Sequence, residues 1–126
     1  MRLMSSHPVL AVHDLEGEAA WYTEVLGCEN MEVDAGNWIF CAAGGVEFRL
    51  GRCLDAPLAS EIGDHSYVAY LVVDDVDAFF ERAKRAGAAV RKEPTDEPWG
   101  MREMAVASPE GHRFMVGQDI GQAAEP

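Results

Sequence analysis

The sequence predicts an α+β fold built from two tandem βαβββ modules. Two observations support this prediction. First, an extended apolar run followed by Asp, an amphipathic helix and Gly occurs twice, beginning at His7 and again at Val68. Second, each copy is followed by short runs of strand-forming residues separated by turn residues. With 126 residues, of which 48% are hydrophobic, the chain has the size of one domain with a buried core.

The first helix is predicted between Asp14 and Gly27. Aspartate caps helix N-termini and glycine often follows helix C-termini, which fits these two positions. Apolar residues recur between them at spacings of four and three, as on one helical face; they are Leu15, Ala19, Tyr22 and Leu26. Three strands are expected next, near 30–33, 38–42 and 46–50, separated by the turn DAGN and by a Gly-Gly pair.

The second copy repeats this pattern between Asp75 and Gly87, with an apolar stripe of Val76, Phe80 and Ala83. Its strands are expected near 88–91, 102–107 and 112–116, with KEPTDEPWG as a polar loop and SPEG as a turn. The sequence is therefore interpreted as one domain with four parts: module one at about 6–51, a linker at about 52–65, module two at about 66–118 and a C-terminal tail at 119–126.

Composition limits the classes of function. Three cysteines without a C-x-x-C spacing indicate neither a disulfide framework nor a zinc knuckle. A net charge of −12 repels nucleic acid and anionic membranes, so neither is expected as a partner. The same charge attracts a cationic ligand, although solubility alone also explains it. Without an apolar run of spanning length or a signal peptide, the protein is expected to be cytoplasmic.

Four segments resemble the vicinal oxygen chelate superfamily of glyoxalases, bleomycin-resistance proteins and extradiol dioxygenases. They are VLAVHDLEGEAAWYTEVLG, YLVVDDVDAFFERAKRAGA, PWGMRE and SPEGHRFMVG, and the resemblance covers about residues 7–118. The last two segments are most similar to the bleomycin-resistance branch. The resemblance implies that the two modules form a curved mixed sheet around a cleft, and that the protein is a homodimer.

In metal enzymes of this superfamily, four equivalent strand positions hold a divalent ion. The resemblance places His7 and Glu47 at the first-module positions, and Val68 and Met115 at the second-module positions. Because valine cannot ligate and a thioether suits such ions poorly, only an incomplete metal site is expected. An alignment of GGVEFRLG with EGHRFMVG on their glycines sets Arg49, not Glu47, opposite Met115.

Substitute ligands remain an alternative. His65 and His112 each lie three residues before a second-module position. An odd offset within a strand directs a side chain to the opposite face, which argues against this rescue.

Strand alternation from the four positions predicts a mixed ligand-binding face. Its candidate residues are Glu47, Arg49, Tyr70, Arg113 and Met115, joined by the aromatic residues Trp38, Phe40 and Trp99. Trp99 lies in the loop where the similar bleomycin-resistance proteins present a tryptophan near their groove. Two alternatives stay open: the charged residues pair with one another, and Trp38 packs in the core or a dimer contact.

Two functions follow from this sequence. The preferred one is a metal-free protein that binds a small planar cation, such as a bleomycin-like antibiotic, without a cofactor in clefts of a dimer. The alternative is a metal-dependent lyase or isomerase of the glyoxalase type that uses His7 and Glu47.

Overall fold

A computed structural model describes residues 1–121. The chain divides into two compact units, Met1–Leu58 and a second unit that begins at Ala59. Each unit contains one βαβββ module, so the predicted α+β fold and its repeated element order are confirmed. Of the predicted C-terminal tail, residue 119 belongs to the last strand and residues 122–126 lie outside the described part of the chain.

The first unit is a four-stranded mixed sheet with one helix. Its elements are β1 (Val9–Val12), α1 (Leu15–Leu26), β2 (Glu29–Asp34), β3 (Trp38–Ala43) and β4 (Val46–Arg52). The strand order is β1-β4-β3-β2, with β1 parallel to β4 and the other pairs antiparallel. The predicted caps are confirmed: Asp14 Oδ1 accepts from Gly17 N at 3.1 Å, and Gly27 has a φ of 74°.

Helix α1 packs on one face of this sheet and contacts β2, β3 and β4. The Tyr22 ring meets Phe48 edge-on, with centroids 5.3 Å apart. Alternate residues of β1 and β4 complete the buried side; they are Leu10, Val12, Phe48 and Leu50. The core of the first unit therefore lies between α1 and this face, as strand alternation predicts.

The second unit repeats the arrangement after a short 3₁₀ turn at Ala59–Glu61. Its elements are β5 (Tyr67–Val72), α2 (Val76–Arg85), β6 (Ala89–Asp96), β7 (Met101–Ala107) and β8 (Arg113–Asp119), in the sheet order β5-β8-β7-β6. Asp75 caps α2 as predicted, because its Oδ1 accepts from Ala78 N at 3.0 Å. Ala86 is the C-cap, and Gly87 follows in the left-handed conformation with a φ of 75°.

Strand β6 is longer than the sequence predicts. It continues through Pro94 to Asp96, within the stretch expected to be a loop. A proline cannot donate to a strand ladder, which makes it a poor residue for a central strand. Here β6 is the edge strand of its sheet and pairs with β7 through two register shifts, so Pro94 is accommodated.

All three cysteines are free; Cys28 and Cys41 are buried and Cys53 is exposed. Burial raises the pKa of the Cys41 thiol to about 12, and neighbouring Cys28 adds to this rise. Within residues 1–121, no helix has the length and apolar character needed to span a membrane.

Candidate ligand-binding site

In each unit the helix covers one face of the sheet, and the opposite face is called the open face. Directly paired residues share a face of a sheet, and residues two apart along a strand do so as well. Arg49 of β4 pairs with Val9 of β1 and with Phe40 of β3. The first open face therefore includes these three residues with Trp38 and Glu47, and brings together the predicted ligand-binding candidates of module one.

Glu47 and Arg49 form an ion pair, as the salt-bridge alternative expects. Arg49 Nε donates to Glu47 Oε1 at 2.8 Å, and the guanidinium carbon lies 4.5 Å from the centroid of the Phe40 ring. His7 Nδ1 lies 3.5 Å from the same carboxylate oxygen, and His7 Nε2 is 3.2 Å from Ser5 Oγ. One arginine is therefore held between a carboxylate and an aromatic ring.

The Trp38 side chain lies over the neighbouring strand β4 at the position of a glycine. It pairs with Gly51, and a Cβ built on Gly51 would lie 2.5 Å from Trp38 Cη2. The missing side chain is therefore what allows the indole to lie across β4. The residue stays 38% exposed, so part of its ring is open to a ligand or a second protein surface.

The second open face carries a buried carboxylate that the sequence prediction missed. Met115 of β8 pairs with Tyr70 of β5, and Gly117 pairs with Glu103 of β7, so these four residues share that face. Tyr70 Oη donates to Glu103 Oε2 at 2.7 Å, and Trp99 Nε1 donates to the same oxygen at 2.8 Å. Tyr70, Trp99 and Glu103 are called the Glu103 cluster.

Burial differs sharply within the Glu103 cluster. Glu103 is 5% exposed, whereas Tyr70 is 43% and Trp99 59% exposed. Desolvation raises the pKa of the Tyr70 phenol, and its hydrogen bond to the Glu103 carboxylate raises it further. Tyr70 therefore remains a protonated donor. Both aromatic rings are fixed at their polar ends and present carbon surface to solvent.

Arg113, also predicted on the ligand face, has its guanidinium turned to the backbone. It is 3% exposed and donates to the carbonyl oxygens of Gly63 at 2.6 Å, Ile62 at 2.9 Å and Ala59 at 3.4 Å. These charge-assisted bonds fasten the segment between the 3₁₀ turn and β5.

The strand register shows which residues occupy equivalent places near the family metal positions. In the first unit Val9 pairs with Arg49, and in the second unit the repeat-related Tyr70 pairs with Met115. The strand register thus places a guanidinium, not a carboxylate, at the first-module position equivalent to Met115. Glu47 lies two residues before that position on the same face of β4, and Val68 offers no ligand at another position.

The substitute ligands gain no support from the described residues. In the range 1–121, no group of three or more His, Cys, Asp or Glu side chains has a geometry suited to a metal ion. His112 is 9% exposed, and burial lowers its pKa, whereas His65 is exposed.

These features agree with a match between residues 5–116 and the family model described as the Glyoxalase/Bleomycin resistance protein/Dioxygenase superfamily. The chain belongs to this superfamily. Among solved structures, TioX from Micromonospora sp. ML1 superposes with a TM-score of 0.73 at 27% identity, covering 91% of this chain and 99% of TioX. The predicted resemblance and fold class are therefore confirmed.

Two further comparisons bear on the fold and on the length of similar proteins. TnmS3, an antibiotic binding protein from Streptomyces sp. CB03234, has a TM-score of 0.70 at 23% identity over 94% of this chain and 99% of TnmS3, and so shows the shared fold alone. The putative glyoxylase CFP32 of Mycobacterium bovis is 34% identical over 117 residues, which are 90% of this chain and 41% of CFP32. The chain spans about two fifths of the length of the curated relatives it matches.

Proposed function

We propose that this protein binds a small, planar, positively charged compound of the bleomycin-like antibiotic type, without using a metal, on the open faces of its sheets. The observation that carries the proposal is the side-chain chemistry at the family metal positions. Arg49, Val68 and Met115 are poor ligands for the hard or borderline ions that serve Lewis-acid chemistry. The protein therefore has the superfamily fold, but these positions carry side chains suited to van der Waals contact and stacking with a ligand.

Exposed aromatic surface on the open faces supports the same function. Trp38, Tyr70 and Trp99 are 38%, 43% and 59% exposed. Flat rings of this kind stack on planar ligands, and their electron-rich faces attract cations. The net charge of −12 favours the approach of a cation and disfavours an anion.

The shared fold is compatible with this role, because TnmS3 has the same fold and is an antibiotic binding protein. We extend the proposal to a homodimer, the assembly expected from the superfamily resemblance. Sedimentation at micromolar concentration tests it: the mass of two chains supports the dimer, and the mass of one chain contradicts it.

A fluorescence titration tests ligand binding. Saturable quenching of tryptophan emission by bleomycin or by an unrelated planar cation is expected for the wild-type protein. Trp38→Phe and Trp99→Phe should each remove part of the signal, whereas Trp21→Phe should retain it, because Trp21 is 7% exposed on α1 and packs edge-on against Tyr22. A flat wild-type response to every compound would overturn the proposal.

Two observations favour the second candidate, a metal-dependent lyase or isomerase of the glyoxalase type. His7 and Glu47 approach to 3.5 Å, and one relative is named a putative glyoxylase. Against it, Arg49 already donates to the same Glu47 oxygen at 2.8 Å, and Val68 and Met115 add no ligand. This candidate requires stoichiometric metal that depends on His7.

A further inference from the structure

The Glu103 carboxylate of the second open face is held by two neutral donors and one long ion pair. Both strong hydrogen bonds, from Tyr70 and Trp99, reach Oε2. Lys92 Nζ lies 3.9 Å from Oε1, which is within ion-pair distance but beyond hydrogen-bonding distance. Lys92 Nζ is hydrogen-bonded instead to the carboxylate of Glu97. The formal charges of Lys92, Glu97 and Glu103 therefore sum to −1.

Burying the Glu103 carboxylate to 5% exposure costs folding free energy unless other groups compensate for the lost hydration. Two neutral donors provide part of this compensation here. Charges act more strongly on one another in such a water-poor site than in bulk solvent. A positive ligand group placed against Tyr70 and Trp99 would supply the rest and would gain cation–π attraction from both rings.

From this geometry we infer that Glu103 selects the charge of the ligand: it holds the Tyr70 and Trp99 rings as an aromatic platform and makes that platform specific for flat aromatic cations. The inference rests on the proposed binding function and adds a ligand class and a selecting residue to it. Glu103 is a positioning residue for the two rings and an electrostatic contact for the ligand.

The backbone beneath the platform supports this role. A Cβ built on Gly117, which pairs with Glu103, would lie 2.0 Å from Tyr70 Oη. Only glycine therefore leaves room for the phenol to reach the carboxylate. In the first unit, the residue paired with the equivalent Gly51 is Trp38, so the carboxylate platform belongs to the second unit's open face.

The test uses Glu103→Gln, because the amide oxygen of glutamine still accepts from Tyr70 and Trp99 while the charge is removed. Calorimetric titration compares two probes of nearly the same shape: N-methylacridinium, a permanent cation, and acridine at a mildly alkaline pH, where it is neutral. We expect about a tenfold loss of affinity for the cation, the size of one desolvated charge contact of about 1.4 kcal/mol, and less than about a twofold change for acridine.

Glu93→Gln is the matched control, since Glu93 lies on β6 next to Lys92 in sequence and is exposed. Glu93→Gln should change the affinity for N-methylacridinium and for acridine by no more than about twofold. If Glu103→Gln lost the same affinity for both probes, the role of Glu103 would be structural and the inference would be overturned. Unchanged binding of both would overturn it as well.

A second variant keeps the test decisive if Glu103→Gln does not fold. Lys92→Met removes the nearby positive charge and should strengthen N-methylacridinium binding about threefold while leaving acridine unchanged. No gain for the cation would contradict charge selection. A wild-type protein that binds neither probe would overturn the proposed function together with this inference, whereas binding of both without charge preference would overturn the inference alone.

Discussion

Trp38 lies across Gly51 so closely that a Cβ on the glycine would come within 2.5 Å of the indole. Tyr70 has the same relationship with Gly117, where the added Cβ would lie 2.0 Å from the phenol oxygen. The two glycines end the equivalent segments GVEFRLG and GHRFMVG of the two modules. In each module, a glycine of the last strand therefore leaves room for an aromatic side chain on the open face.

Gly117→Ala should destabilise the protein and Gly45→Ala should not. The new methyl group at position 117 must displace the Tyr70 phenol from Glu103, at a cost of about 1–3 kcal/mol from steric strain and the lost hydrogen bond. A Cβ on Gly45 meets nothing within 4 Å, so this control should change the free energy of unfolding by less than about 0.5 kcal/mol. Urea unfolding measures both, and equal values would contradict the predicted clash.

Removing the N-cap of α2 should weaken the second unit. Asp75→Ala eliminates the acceptor for Ala78 N at 3.0 Å, and the expected loss is about 1 kcal/mol in the free energy of unfolding. Asp74→Ala, one residue earlier and also exposed, removes the same charge without removing this bond. If both variants lose the same stability in urea, the effect comes from charge and not from capping.

Arg113→Lys should loosen the segment that precedes β5. An ammonium group cannot reproduce the guanidinium fork that bonds the carbonyls of Gly63, Ile62 and Ala59, so a loss of about 2 kcal/mol is expected. Limited proteolysis should then cut near 59–63 faster than in the wild type. Arg85→Lys, at an exposed position in the last turn of α2, serves as the control. Unchanged cleavage in Arg113→Lys would show that these bonds do not hold the segment.

Stability should fall as the solution becomes acidic, partly because of His112. Burial lowers its pKa from the ordinary value of 6.5, with Glu110 opposing the shift. Below pH 6.5 the unfolded chain binds a proton at His112 that the folded chain does not. The contribution of His112 to the free energy of unfolding is therefore complete above this pH and is lost as the pH falls towards the lower folded pKa. The loss is at most about 1.4 kcal/mol per pH unit.

Urea midpoints measured between about pH 7.5 and 5.5 should therefore depend more steeply on pH in the wild type than in His112→Gln. The other three histidines are present in both proteins, so the difference between the two slopes isolates His112. Identical slopes would mean that His112 gains its proton equally well in the folded protein.

The architecture could be predicted from the sequence because local residue patterns indicate where helices and strands begin and which faces are buried. Asp14 and Asp75 mark the helix starts, and alternating apolar residues such as Phe48 and Leu50 mark the buried faces of strands. The length of β6 escaped prediction, because Pro94 opposes a strand unless the strand is at an edge, and edge position depends on the sheet order.

The ligand site was only partly predictable for a similar reason. Tyr70 and Trp99 were found from strand alternation and from the superfamily resemblance, but Glu103 was not. Its role depends on pairing between β7 and β8, which sets it opposite Gly117, and on two hydrogen bonds from residues 33 and four positions away along the chain. Such register is fixed by tertiary packing and leaves no local pattern.

Metal analysis of the protein purified without a polyhistidine tag, combined with calorimetric titration of a planar cation before and after treatment with a chelator, tests the central claim most directly. The account predicts substoichiometric metal, unaffected by His7→Ala, and the same cation affinity with and without the chelator. Stoichiometric Zn, Ni, Mn or Fe that disappears in His7→Ala, together with loss of binding in the chelator, would contradict it.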